Sequence, residues 1–140
     1  MPHTKFPVEI LTPEGELFND EAEMVSTRTT LGEIGILANH AALLATLEPT
    51  ELRIYKSESD VLRFAQAEGY LQVGGNRAMI LVEEAHEPGQ LDTGRLREQL
   101  DEAERELGEA GEDSERRRVA ERNKRRWQAF LSIAEGHSSS

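Results

Sequence analysis

Hydrophobic positions follow two different periods along this chain. In the first half they recur every second residue: Phe6, Val8 and Ile10 alternate with Pro7 and Glu9, the spacing of a strand buried on one face. Thr12-Pro13-Glu14-Gly15 is a turn by its chemistry, because Pro presets φ and Gly accepts positive φ. The same grammar repeats downstream. Leu52–Tyr55 leads into the polar turn Ser57–Asp60, Val61–Ala65 runs to a break near Glu68-Gly69, and Tyr70–Val73 runs to Gly74-Gly75-Asn76 before Ala78–Val82. Short strands punctuated this way predict an antiparallel sandwich or barrel. No helical pattern interrupts them, which argues against a doubly wound α/β fold.

After Glu87-Pro88-Gly89-Gln90, which has the composition of a linker, the period changes. Leu96, Leu100, Ala103, Leu107 and Ala110 step by four and three and so share one helix face. Asp92 or Thr93 is placed to cap the helix start. Gly108–Asp113 breaks the pattern, and a second helix follows with Ala120, Trp127, Leu131 and Ala134 on its stripe, Val119 and Phe130 at its flanks, and Trp127 as the expected packing anchor. Asn123 falls on the same stripe, where a polar residue can set register between paired helices. The domains expected are therefore a β unit over 1–86, a linker over 87–90, an antiparallel helical hairpin over 91–136 and a frayed tail over 137–140.

Charge sharpens this division. The 140 residues carry a net charge of −11, which opposes nonspecific binding to nucleic acid or anionic lipid. Within the hairpin the charge is segregated: residues 91–115 hold three Arg against ten Asp/Glu, and residues 116–135 hold seven Arg/Lys against two Glu. An acidic helix beside a basic one is favoured, yet each exposed pair contributes only ~0–1 kcal/mol. With a narrow, Ala-rich apolar stripe, the expected hairpin is one that opens easily.

Candidate chemistry is sparse. There is no cysteine, which excludes disulfides, thiolate metal sites and cysteine nucleophiles. The four histidines are scattered and no HExxH, GxSxG or phosphate-cradling Gly-Lys-Ser/Thr motif occurs. Gly32-Glu33-Ile34-Gly35 reads as a loop at a sheet corner, and Glu83-Glu84 as a solvated strand end. The pattern is that of a non-enzyme. No stretch approaches the roughly 20 apolar residues of a membrane helix, and MPHTKFPVEI lacks the cationic-then-apolar order of a signal peptide. The expectation is a chain that stays where it is made and reaches a membrane only through a partner. The basic run Arg116–Arg118 and Arg122–Arg126 reads either as a solvated face balanced by the acidic helix or as a dock for an acidic protein surface or nucleotide phosphates; nucleic acid is the third reading, and the overall acidity counts against it.

Several segments together resemble the epsilon subunit of F-type ATP synthases. They are Val8–Phe18, Gly32–Leu44 with its Gly-Glu-Ile-Gly-Ile and Asn39-His40-Ala41 elements, Glu68–Val73, Met79–Ala85 and Leu91–Arg95. The resemblance implies a sandwich of about ten antiparallel strands followed by a two-helix hairpin. It implies a non-catalytic rotor subunit in the central stalk of a proton-translocating enzyme, peripheral to the cytoplasmic face of a bacterial inner membrane. The partners implied are the gamma subunit, the polar loops of the membrane c-ring and, through the hairpin, the catalytic alpha and beta subunits; no nucleic acid and no direct membrane insertion are expected. Glu33 matches the ring-facing loop and His40 the gamma-facing side, and Arg122, Arg125 and Arg126 are the candidates for an acidic stretch of beta, through which an extended hairpin would hinder ATP hydrolysis. No cofactor is implied; ATP is the one candidate regulatory ligand. In some bacterial relatives the folded hairpin binds it through a Leu/Ile-Asp-x-x-Arg-Ala motif and two arginines. Here Leu91, Asp92, Arg95 and Arg126 match, while Leu96 and Phe130 depart from the motif. An ATP-sensing module is thus the alternative reading. Two family prolines are replaced by Ala38 and Ala42.

Overall fold

The structure is a computed structural model and describes residues 3–138. The chain divides into two compact units between His86 and Glu87.

The first unit is built from ten strands: β1 (Phe6–Thr12), β2 (Gly15–Ala22), β3 (Met24–Thr29), β4 (Gly32–Leu37), β5 (Leu43–Leu47), β6 (Thr50–Tyr55), β7 (Val61–Gln66), β8 (Gly69–Gly74), β9 (Arg77–Val82) and β10 (Ala85–His86). They pair in the order β10-β7-β6-β3-β5-β8-β9-β1-β2, with β4 hydrogen-bonded to β3. Neighbours are antiparallel except β1 and β9, which run parallel with Val8 opposite Ala78 and Leu11 opposite Leu81. Sequence adjacency does not constrain that pair: the intervening chain supplies the long crossover a parallel pairing needs.

β3 is where the sheet folds over. Met24, Val25 and Ser26 pair with β6, whereas Thr29 pairs with Leu47 of β5. The inward side chains of both halves then meet in one apolar cluster, including Val8 and Ile10 of β1, Ile36 of β4, Leu52 and Ile54 of β6, Leu71 of β8 and Ile80 of β9. Alternation along each strand puts these residues inside. β2 to β5 were not delineated by alternation in the sequence. Gly32–Gly35, expected to be a corner loop, is the start of β4, because Thr30 and Leu31 alone make the turn that pairs Thr29 with Gly32.

Two local constraints hold the unit in register. Gly69 has no room for a β-carbon: one built there would meet the Leu81 carbonyl oxygen and come within 2.7 Å of Val82 Cα. The buried Thr27 hydroxyl donates to Gln66 Oε1 at 2.8 Å, and Gln66 Nε2 donates to the Glu48 carbonyl at 3.0 Å. Gln66 is fully enclosed, so its amide is stable there only because these bonds replace water.

In the second unit a 3-10 turn (Pro88–Gln90) precedes α1 (Thr93–Ala110) and α2 (Ser114–Ser138). Asp92 is the cap of α1, accepting from the Arg95 amide at 3.2 Å. Gly111 ends α1 at φ 56°, and Asp113 accepts from the Arg116 amide at 3.1 Å to open α2. Leu96, Ala103 and Ala110 of α1 and Ala120, Phe130 and Ala134 of α2 are buried. The aromatic anchor is therefore Phe130, fully enclosed, and not Trp127, which is half-buried and packs edge-on against Phe130 with ring centroids 5.9 Å apart. α2 extends through Ser138, beyond the hairpin end expected at 136; the rest of the expected tail lies outside the described residues.

Two stability outcomes follow from these contacts. Gln66→Leu strands the Thr27 hydroxyl and the Glu48 carbonyl and is expected to cost about 1–3 kcal/mol in urea unfolding of the β unit; an unchanged midpoint would contradict the buried bridge. Phe130→Ala is expected to cost about 3–5 kcal/mol and to lower helical ellipticity at 222 nm while the near-ultraviolet signal of the β-unit tyrosines persists.

Candidate partner-docking surfaces

Each candidate residue occupies an exposed or half-exposed position on one of the two units. Glu33 sits near the start of β4, opposite Arg28 of β3, with its side chain exposed. Beside it the turn tip presents Leu31, 98% exposed. The Thr29 hydroxyl fixes that tip, accepting from the Leu31 amide at 3.0 Å and donating to the Gly32 carbonyl at 3.1 Å. Held outward by this turn, the Leu31 side chain buries almost nothing against its own unit.

His40 lies at the opposite end of β4, in the loop leading to β5, so the structure does not bring it together with Glu33. Its Nδ1 is 2.7 Å from the Ala41 carbonyl, which can only accept; Nδ1 therefore carries the proton, and in the neutral ring Nε2 is the acceptor. The Asn39 amide of this loop donates to Asn76 Oδ1 at 2.7 Å.

A further surface was not singled out in the sequence. Tyr70 of β8 is opposite Leu81 of β9, which is opposite Leu11 of β1. These three share the outer face with Leu44 of β5, and Leu44 and Tyr70 are more than half exposed. Around Leu11, Pro13, Tyr70 and Leu81 the surface sinks into a groove of about 330 Å³. The signal was available: once Leu71 and Ile80 face inward, alternation forces Tyr70 and Leu81 outward.

On the hairpin, Arg122, Arg125 and Arg126 lie within one stripe of α2, at i, i+3 and i+4. Arg125 is exposed, and the Arg126 guanidinium lies 5.5 Å from the centre of the Trp127 ring. Arg122 Nε is shielded from solvent without a hydrogen-bond partner. One ion pair between the helices follows the charge segregation, Arg116 of α2 with Glu106 of α1 at 3.3 Å; the other, Arg97 of α1 with Glu135 of α2 at 3.2 Å, has the reverse polarity. Within α2 the Arg118 guanidinium holds the Glu115 carboxyl below the usual carboxylate range. The two interhelix pairs set the antiparallel register: Arg126 lies between them, level with the middle of α1, whereas Asp92 and Arg95 occupy the first turn beyond Arg97. Asp92 is engaged as the cap of α1, accepting from the Arg95 amide.

Among the described residues no group of His, Asp and Glu is arranged to hold a metal. His86 Nε2 does meet Glu84 Oε1 at 2.8 Å, an i, i+2 contact at the end of the β unit that the sequence reading did not anticipate. Among the described residues no helix is long and apolar enough to cross a membrane.

Comparison with known proteins gives a consistent result. The family model described as ATP synthase, Delta/Epsilon chain, beta-sandwich domain matches residues 5–88. An ATP synthase epsilon chain from Sulfurihydrogenibium sp. (strain YO3AOP1) is 33% identical over 129 residues, covering 92% of this chain and 96% of that one. Among solved structures, a chain of the Euglena gracilis mitochondrial ATP synthase (OSCP/F1/c-ring, rotational state 1) is similar with a TM-score of 0.77 at 19% identity, over 91% of this chain and 80% of that one. A chain of the Tetrahymena thermophila mitochondrial ATP synthase central stalk and c-ring gives a TM-score of 0.62 at 19% identity, over 96% and 99%.

Proposed function

This chain belongs to the ATP synthase epsilon family as a non-catalytic subunit, and we propose that it is a rotor component of the central stalk of a proton-translocating F-type enzyme, joining the gamma subunit to the membrane ring at the cytoplasmic face of a bacterial inner membrane. The observation that carries this reading is an outward apolar face on a unit whose own core is already complete: Tyr70 and Leu81 are exposed in a cross-strand row with half-buried Leu11, and exposed Leu44 lies on the same face. A cluster of apolar side chains on an outer face marks an interaction site, because a partner that covers it removes apolar surface from water. Gamma is the partner assigned to this row, with His40, four residues before Leu44, at its margin. Leu31 and Glu33 at the other end of β4 are assigned to the polar loops of the ring: the leucine supplies an apolar contact and the carboxylate a hydrogen-bond acceptor.

The hairpin is assigned a regulatory part. Its arginine stripe at Arg122, Arg125 and Arg126 has the planar, multidentate donors that recognise carboxylates, which fits an acidic stretch of the catalytic beta subunit. A hairpin held internally by a narrow stripe and exposed ion pairs exchanges those contacts for a partner's at small cost. In that extended state it hinders ATP hydrolysis by the alpha–beta head.

Co-purification tests the docking half. Tyr70→Glu combined with Leu81→Glu is expected to weaken binding to purified gamma at least tenfold while circular dichroism stays unchanged; parental affinity would refute the assignment. The regulatory half is tested by hydrolysis. Replacing Arg122, Arg125 and Arg126 with Ala is expected to raise the ATPase rate of the epsilon-bound head, and a rate indistinguishable from the parent's would remove the inhibitory role.

A further inference from the structure

The loop Ala38-Asn39-His40-Ala41-Ala42 contains no proline and two of its residues are exposed alanines, so little in its own sequence restricts it. Yet it carries His40. Three hydrogen bonds hold it, of which two are local: the His40 amide donates to the Leu37 carbonyl at 3.2 Å and His40 Nδ1 to the Ala41 carbonyl. The third alone reaches a part of the chain distant in sequence. Asn76, 37 positions away in the β8–β9 turn, accepts the Asn39 amide proton on its side-chain oxygen at 2.7 Å.

Both partners stand in unusual backbone conformations. Asn39 has φ 62°, and Gly75 and Asn76 have φ 57° and 58°. Consecutive positive φ values are those of a tight type I′ hairpin turn, where Asn and Gly are tolerated. The turn needs only a residue that accepts positive φ, and glycine would meet that need as well as asparagine. The side-chain oxygen of Asn76 is thus surplus to the turn, and its contact is with the backbone directly preceding His40.

We infer that Asn76 is a positioning residue for gamma recognition: its side chain holds the Asn39–His40 backbone so that the imidazole is presented in one orientation, and the ordering entropy of the loop is lost before binding rather than during it. The inference rests on the assignment of His40 to the gamma-facing surface.

Substitution of Asn76 in the full-length chain separates this role from turn formation. Asn76→Gly keeps the positive φ and removes the acceptor; Asn76→Asp keeps both. Binding to purified gamma is measured by calorimetry, and exchange of the Asn39 amide by NMR. Asn76→Gly is expected to speed Asn39 exchange and to raise the gamma Kd about tenfold, the size of one hydrogen bond's contribution. Asn76→Asp is expected to stay within about twofold of the parent. Combining Asn76→Gly with His40→Ala is expected to weaken binding no further than His40→Ala alone, because the two act through one contact. If His40→Ala weakens binding while Asn76→Gly binds like the parent, or if the two losses add, the positioning role is overturned and the His40 assignment survives. If His40→Ala itself has no effect, the His40 assignment fails and takes the inference with it.

Discussion

The apolar cluster enclosed when the sheet folds at β3 sets what the β unit can present to others. Because Met24–Ser26 bond to β6 while Thr29 bonds to Leu47, both halves turn their inward faces to each other and satisfy the core internally. The outward faces are then free of structural duty. That is why an exposed Leu31 or Tyr70 carries information: burial in the core is not an available explanation for it. The Thr27–Gln66–Glu48 bridge reinforces the same enclosure, since a buried amide with satisfied partners tolerates one strand register and no other.

The hairpin is organised by weaker means. Four of its six buried apolar residues are alanines, each contributing far less burial than Leu96 or Phe130. Its ion pairs, Arg97–Glu135 and Arg116–Glu106, join side chains that are half exposed, where solvent and salt screen them. Its caps are sound, with Asp92 and Asp113 accepting from the first turns of their helices, so each helix is well started even though the two are thinly joined. A capped helix on a thin seam separates from its neighbour at lower cost than a strand leaves the sheet, and the exchange of partners proposed for the hairpin depends on that difference.

Much of this was legible in the residues. Alternation at Phe6, Val8 and Ile10 and the four-three stepping from Leu96 to Ala110 located β1 and α1, because one-sided burial writes its period directly into sequence. What escaped did so for physical reasons. β2 is an edge strand whose side chains are mostly exposed, so it has no alternation to detect. β4 contains two glycines that mimic a loop, and only its pairing with β3 makes it a strand. Phe130 rather than Trp127 as the buried anchor depends on helix rotation, which a stripe of small residues leaves undetermined. The contact of Asn76 with Asn39 spans 37 positions and leaves no local trace.

The proposed regulation requires a cooperatively stable β unit joined to a hairpin that opens independently of it. Native-state hydrogen exchange on the full-length chain tests it most directly. Amides of α1 and α2 should exchange through openings several kilocalories per mole below those of β1, β8 and β9, with the helical values falling further as salt is added and the strand values unmoved. A single shared opening free energy for helices and strands, insensitive to salt, would mean that the hairpin does not open independently of the β unit.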